Sequence, residues 1–246
     1  MQLRTPVHPL QELQMSGTTN TKADAPRAPG SEWTARLAKI DTCVLSDALD
    51  RLQIRGVAFG LSRLAGGRSR VAGRVITVTL GPAQGGVAPR HLCTAAVEQG
   101  GPGDVIVVEH HAHAQAAGWG GILSFAAKTK GIEGVVVDGV CRDIDEAIDF
   151  DFPIFAAGAV PATARGRVME TACQEPIVVR GIRVHPGDWV LADSSGVVFV
   201  PAARIEEVID TAEGLAAREQ QMLDRVRKGE SVAVVMSHQY ESMLKG

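Results

Sequence analysis

The stretch from Asp104 to Ala157 restricts the possible folds more than any other part of the chain. It runs DVIVVE (104–109), GWGGILSFAAKTKG (118–131), GVVVD (134–138), a short polar segment (143–149) and PIFAA (153–157). Apolar, β-branched runs bounded by glycine and proline form strands. Ile122, Phe125, Ala126 and Thr129 stand at i, i+3, i+4 and i+7, which predicts a helix packed on a sheet through that face and closed by Gly131. Strand, helix, strand, helix, strand in close succession builds βαβ units, because parallel neighbours need a crossover and a helix supplies it. The expected class is α/β, with a central, mostly parallel sheet flanked by helices.

The flanks extend this plan. SEWTARLAKIDTCVLSDALDRL (31–52) reads as two helical pieces with Ser31 and Thr42 as caps. VAGRVITVTL (71–80) is a strand, GPAQGGVAPRH a loop, and residues 91–99 a helix. Short β-rich runs between 176 and 200, separated by glycine and proline turns, predict antiparallel strands at the end of the domain. A long C-terminal helix follows from about 202 to 227, with Ile205, Val208, Ile209, Ala212 and Leu215 on one face. Residues 1–30 lack sustained periodicity and are expected to form a flexible arm, leaving 31–246 as one α/β domain.

Composition excludes several roles. A formal charge of -3 over 246 residues leaves no basic excess for phosphate contacts, so nucleic acid is not an expected partner. Cys43, Cys93, Cys141 and Cys173 are widely spaced with no CxxC pair, which suits buried small hydrophobes in a reducing compartment. No apolar run reaches the ~20 residues of a membrane helix, and the N-terminus has no signal-peptide pattern. The expectation is a cytoplasmic protein without membrane contact.

Two constellations carry possible chemistry. Gly118, Gly120 and Gly121 open the predicted helix, where free amides and the positive end of the dipole favour a carboxylate or phosphate. A tight strand-to-helix turn explains the same glycines. Arg142 and Asp143 follow the strand 134–138, where α/β sheets place ligands. A carboxylate there suits Mg²⁺ or Mn²⁺ and a guanidinium suits an oxyanion. Asp143 with Glu146 also fits a capping box, which leaves a structural role open.

The run GWGGILSFAAKTKGIEGVVVDGVCRDIDEAIDFDFPIFAAG, with PGDVIVVE before it and GDWVLADSSGVVFVP after it, resembles one particular family. That family contains the regulator of ribonuclease activity A and the 4-hydroxy-4-methyl-2-oxoglutarate/4-carboxy-4-hydroxy-2-oxoadipate aldolases. The resemblance implies a swivelling β/β/α domain of the ribonuclease-regulator-like type. It also implies a homotrimer or homohexamer with active sites shared between subunits. In the aldolase branch the amides matching Gly120, Gly121, Ile122 and Leu123 hold the carboxylate of a 2-oxo acid such as pyruvate. The Arg matching Arg142 contacts the forming enolate, and the Asp matching Asp143 ligates a divalent metal, Mg²⁺ or Mn²⁺.

The aldolases also carry an acid with twenty residues between it and the Arg-Asp pair, and here that position is Gly121. The loop EHHAH (109–113) offers a replacement, since Glu109, His111 and His113 share one face of an extended segment and imidazole is a general base or metal ligand. Arg90 and His91 fall where family members carry another substrate loop and are candidates for a second carboxylate. Arg165 and Arg167 suit either neutralisation of an anionic substrate or pairing with acids across a subunit boundary, with the interface role preferred; Glu219 is an acid of uncarried role, and Lys128 and Lys130 are surface charges. The expected activity is a metal-dependent carbon-carbon lyase: retro-aldol cleavage releasing pyruvate, or oxaloacetate-type decarboxylation, through a metal-bound enolate. The alternatives are a non-catalytic regulator like the ribonuclease regulator, and a related enolate-forming isomerase or hydratase.

Overall fold

The structure, a computed structural model, describes residues 31–67, 70–84, 90–110 and 115–236. The expected arm over 1–30 lies outside the described residues. The chain opens with two helices, α1 (Ser31–Leu37) and α2 (Thr42–Arg51). Strands β1 (Val57–Ala58), β2 (Ser62–Ala65) and β3 (Val71–Pro82) follow. The central run is α3 (Thr94–Gln99), β4 (Asp104–His110), α4 (Gly121–Thr129), β5 (Gly134–Cys141), α5 (Ile144–Asp149) and β6 (Ile154–Ala159). Then come β7 (Val168–Cys173), β8 (Ile177–Val179), β9 (Ile182–Val184), β10 (Trp189–Ala192) and β11 (Val197–Val200). Helices α6 (Ile205–Arg227) and α7 (Val232–Val235) complete the described chain.

The sheet order is β1-β11-β10-β3-β4-β5-β6-β2, with β7 also paired to β3. The centre, β3 to β6, is parallel as the βαβ pattern requires, and every pair outside it is antiparallel. Both faces of the parallel strands are covered, which explains their unbroken apolar runs. Ile106, Val108, Val135 and Val137 face α3, α4 and α5, while Val105, Val107 and Val136 face the β8–β9 hairpin through Ile177, Val179 and Val184. Pairing of β3 with β4 and of β4 with β5 aligns the C-terminal ends of the strands on one side. The helices α4 and α5 meet there.

Helix α6 buries Ile205, Val208, Ile209, Ala212 and Leu215, the face its spacing predicts. Each fully buried Val, Leu or Ile contributes about 1.5–3 kcal/mol, more than any difference in helix propensity, so packing against α2 holds this half of the helix. Helix α4 does not follow its predicted face. Leu123, Ser124 and Ala127 are buried, whereas Ile122 is 87% and Phe125 58% exposed. Apart from Leu123 the inward residues are small, and Phe125 instead meets Phe150 edge-on at 5.2 Å.

The start of α2 also differs from expectation. Asp41, not Thr42, is the cap, its Oδ1 accepting from the Val44 amide at 2.9 Å. Thr42 instead donates its amide and hydroxyl to Asp193 at 2.9 and 2.6 Å, and the Ser195 amide donates to the same carboxylate at 2.8 Å. Burial opposes ionisation of Asp193, but these bonds from Thr42 and Ser195 outweigh it and hold its carboxyl below the usual range. We expect Asp193→Ala to cost about 2–3 kcal/mol in urea unfolding at pH 7. Because the folded pKa lies below the unfolded one, that stabilisation is present above the ordinary value of 3.8 and is lost as pH falls through the lower folded value. A cost unchanged at low pH would contradict this origin.

Candidate active site

Strand β5 ends at Cys141, and the next two residues are held by an unusual turn. Asp143 has φ 57 and ψ 44, left-handed backbone that Asp tolerates better than most residues. In that conformation its side chain makes no bond to the start of its own helix α5, so the capping-box role does not form. The carboxylate turns to α4 instead: Oδ2 accepts from the Gly121 amide at 3.0 Å, and Arg142 Nε lies 3.0 and 3.1 Å from the two oxygens. One acid thus joins the start of one helix to the end of the neighbouring strand.

The first intrahelical bond of α4 runs from the Ser124 amide to the Gly120 carbonyl, 3.1 Å. Of the orphan amides before it, Gly121 is taken by Asp143, which leaves those of Ile122 and Leu123 for a ligand. Trp119, 1% exposed, forms the floor; its Nε1 donates to Ser124 Oγ at 2.9 Å and its ring stacks on Phe152 at 6.1 Å. These groups surround a cavity of about 230 Å³ whose walls include His91, Arg142, Asp143, Thr163 and Arg165. A larger cavity, about 360 Å³, lies against α2 and is lined by Thr42, Cys43, Asp47 and Phe59 with no cationic side chain. The smaller one gathers the chemistry.

Gly121 is not an empty position. A β-carbon built there would lie 1.8 Å from Glu146 Oε2, so the carboxylate of Glu146, carried by α5, occupies the space that a side chain at 121 would fill. The sequence contained the signal, an acid three residues after Asp143, but one helix turn cannot reveal which neighbouring helix it points toward. Asp143 and Glu146 therefore stand together at the mouth of α4. Among the described residues, no three His, Cys, Asp or Glu form a ready-made metal cage. The pair nevertheless fits a hard cation of the Mg²⁺ kind, which binds through one or two carboxylates and keeps much of its water, and Asp143 Oδ1 retains lone pairs beyond the one Arg142 uses.

The other expected residues divide. His111 and His113 lie outside the described residues. Glu109, 6% exposed, accepts from the Val178 amide at 3.0 Å and so helps dock the β8–β9 hairpin. His91 lines the cavity. Arg90 forms an ion pair at 2.7 Å with Glu170, whose side chain is 3% exposed and which also accepts from the Cys93 amide at 2.7 Å. Lys128 and Lys130 donate to the carbonyls of Asp151 and Glu98, tying the end of α4 to adjacent turns. Burial, with nearby Asp41 and Asp47, raises the Glu219 carboxyl, and no contact brings it to the cavity. Of the cysteines expected inside, Cys93 and Cys141 are buried, with their thiols pushed up by that burial, whereas Cys43 is exposed. Cys43 sits on the exposed side of α2, opposite its buried Val44, Leu45, Ala48 and Leu49, and Cys173 is half-buried.

Known proteins share this fold. Residues 42–199 match the family described as RraA-like: Aldolase/RraA. A protein from Halalkalibacterium halodurans named "Putative 4-hydroxy-4-methyl-2-oxoglutarate aldolase" is 34% identical over 135 residues, 53% of this chain and 64% of that protein. Protein DlpA of Legionella pneumophila is 25% identical over 80% of this chain but only 32% of its own length. The chain thus spans less than two thirds of each of these relatives. Among solved structures, an uncharacterized protein from Pseudomonas syringae pv. tomato superimposes with TM-score 0.75 at 31% identity, over 83% of this chain and 96% of that one. Streptomyces coelicolor RraAS2, described as an unusual member of the RNase ES inhibitor RraA protein family, gives 0.70 at 27% identity, over 81% and 98%.

Proposed function

The chain belongs to the RraA-like family, Aldolase/RraA, and from that premise we propose that the cavity at the start of α4 is the active site of a divalent-metal-dependent lyase acting on a 2-oxo acid. The observation that carries the reading is convergence: free helix amides, the Arg142 and Arg165 side chains and the Asp143 carboxylate meet at a single cavity, with the Glu146 carboxylate beside Gly121 at its edge. Among the described residues no helix is long and apolar enough to cross a membrane.

The residues divide the work. The amides of Ile122 and Leu123 hold the substrate carboxylate, with the α4 dipole aligned toward it. Arg142, anchored through Nε on Asp143, keeps its terminal nitrogens for the keto oxygen and stabilises the negative charge that develops there. Asp143 would hold Mg²⁺ or Mn²⁺, which when bound supplies a Lewis acid for the 2-oxo group, and Glu146 beside it is left to move protons. Glu146 takes the proton from the substrate hydroxyl in an aldol cleavage; the carbon-carbon bond breaks, its electrons move to the 2-oxo group as an enolate, and Glu146 returns the proton to carbon. For decarboxylation the same enolate forms as carbon dioxide leaves, and Glu146 relays a proton from solvent to carbon.

A regulatory role, in line with the described inhibitor relatives, draws on the exposed apolar surface formed by Ile122, Phe125 and Ile148 next to the cavity. A second copy of the chain covering that surface fits the shared-site assembly equally well, and Glu146 in the place of the missing acid favours the enzyme. The test is melting of the full chain with Mg²⁺ or Mn²⁺, with and without oxalate, followed by a screen of 2-oxo acids for pyruvate or carbon dioxide release. At a hundred times its Kd, a ligand of the folded state adds about 2.7 kcal/mol. Neither a metal-dependent shift nor turnover of any 2-oxo acid would leave the regulatory reading.

A further inference from the structure

The geometry points to a substrate that carries neutral hydroxyls on the fragment released by cleavage, read by His91 and Thr163 in the wall of the α4 cavity. This inference rests on the lyase reading and names a substrate class within it: 2-oxo acids with a polyhydroxy tail, of the deoxy sugar-acid kind. Both residues line the same cavity of about 230 Å³ as Arg142 and the start of α4. They differ in what they offer. His91 Nδ1 lies 3.1 Å from the Leu92 carbonyl. A carbonyl only accepts, so in the neutral ring the proton sits on Nδ1 and Nε2 presents a lone pair. The Thr163 hydroxyl accepts from the Arg165 amide at 3.2 Å, which leaves its own proton to donate. One wall residue accepts and the other donates. A hydroxyl does both at once, whereas a carboxylate would set its oxygens against the Nε2 lone pair.

Both side chains are held from behind. The His91 carbonyl accepts from the Thr94 hydroxyl at 2.7 Å and from the Thr94 amide at 3.4 Å. Glu170, on β7, brackets the same turn: it pairs with Arg90 at 2.7 Å on one side of His91 and accepts from the Cys93 amide at 2.7 Å on the other. Cys93 has φ 61, left-handed backbone that completes the turn into α3. On the loop between β6 and β7, Arg167 donates to the Thr163 carbonyl at 2.9 Å, and the Ala117 amide donates to the Ala162 carbonyl at 3.0 Å. A wall fixed at this many points needs little ordering when a ligand arrives, so its pattern of donor and acceptor becomes selectivity. Arg165, which also lines the cavity, adds donors for hydroxyl oxygens. The cleavage is the one already described. The bond between the third and fourth carbons breaks, the fourth-carbon hydroxyl gives its proton to Glu146, and that proton returns to the third carbon. Pyruvate and a hydroxyaldehyde leave, with no net oxidation or reduction. The hydroxyls beyond the fourth carbon take no part in that step, and these are the ones His91 and Thr163 read.

Matched substrates that differ only beyond the fourth carbon test this. With Mg²⁺ present, pyruvate release by the full chain is measured from 2-oxo-3-deoxygluconate, from 4-hydroxy-2-oxopentanoate, which ends in a methyl group, and from 4-hydroxy-2-oxoglutarate, which ends in a carboxylate. The wild type is expected to favour the polyhydroxy acid about 10-fold or more over each of the others in kcat/KM, because a site built around a hydroxyl leaves its own polar groups unpaired without one. His91→Phe should lower the ratio of polyhydroxy to methyl substrate about 10-fold or more. His91→Gln, which keeps an acceptor, should restore part of that ratio, and Thr163→Val should lower it as His91→Phe does. Equal or better use of the methyl or carboxylate substrate by the wild type overturns the assignment, and that comparison needs no variant to fold. So does turnover confined to oxaloacetate, or a ratio unchanged in both His91→Phe and Thr163→Val. Failure of the wild type to bind oxalate and to turn over any 2-oxo acid strikes the lyase reading itself, and the two failures are therefore distinct.

Discussion

Glu146→Gln is expected to lower turnover of the physiological 2-oxo acid by about 10²- to 10³-fold, the usual contribution of a positioned general acid-base, with oxalate binding nearly unchanged. The amide keeps the size of the side chain but cannot carry the proton. The stronger evidence comes from moving the acid. The β-carbon of any residue at 121 lies 1.8 Å from Glu146 Oε2, so Gly121→Asp alone forces Glu146 aside and should not improve the enzyme. In Gly121→Asp/Glu146→Ala the space is vacated and a carboxylate returns from the α4 side. Recovery of about tenfold or more over Glu146→Ala, read as kcat, would show that one site accepts an acid from either helix. A double variant no better than the single one would reduce Glu146 to a packing residue.

Asp143→Asn should have the larger effect, a loss of metal-stimulated turnover of about 10³-fold or more together with loss of the metal-dependent rise in Tm. The substitution retains an oxygen able to accept from the Gly121 amide, so the fold is expected to survive with a cost of about 1 kcal/mol, comparable to a weakened cap. It also releases Arg142, whose Nε is held by both carboxylate oxygens. Activity and metal response should therefore fall together while urea unfolding without metal moves little. Retention of both would remove Asp143 from the chemistry, and collapse of the fold would assign it to the α4 junction.

The two residues were not equally visible beforehand. Arg142 and Asp143 stand out in the sequence because they end a β-branched run, and strand ends are where α/β sheets gather ligands. Their neighbour Glu146 looked like half of a capping box. The left-handed backbone at Asp143 cancels that box and leaves Glu146 free to reach α4, and a φ of 57 has no signature in residue order when the residue is Asp rather than Gly. The four residues expected on the inner face of α4 show the same limit. Periodicity finds the helix but offers two apolar stripes, and the stripe of small residues was the one that the sheet and Trp119 could admit.

By itself the residue order determined the βαβ centre, the buried stripe of α6 and the position of the Arg-Asp pair, because each depends on local spacing and on burial that repeats with the period of its own element. Tertiary structure alone decided that Arg90 serves Glu170, that Arg165 faces the cavity, and that an acid from α5 fills the gap at Gly121. Those three facts join residues from separate elements, and the distance between side chains on different elements is set by packing that no single stretch of the chain contains.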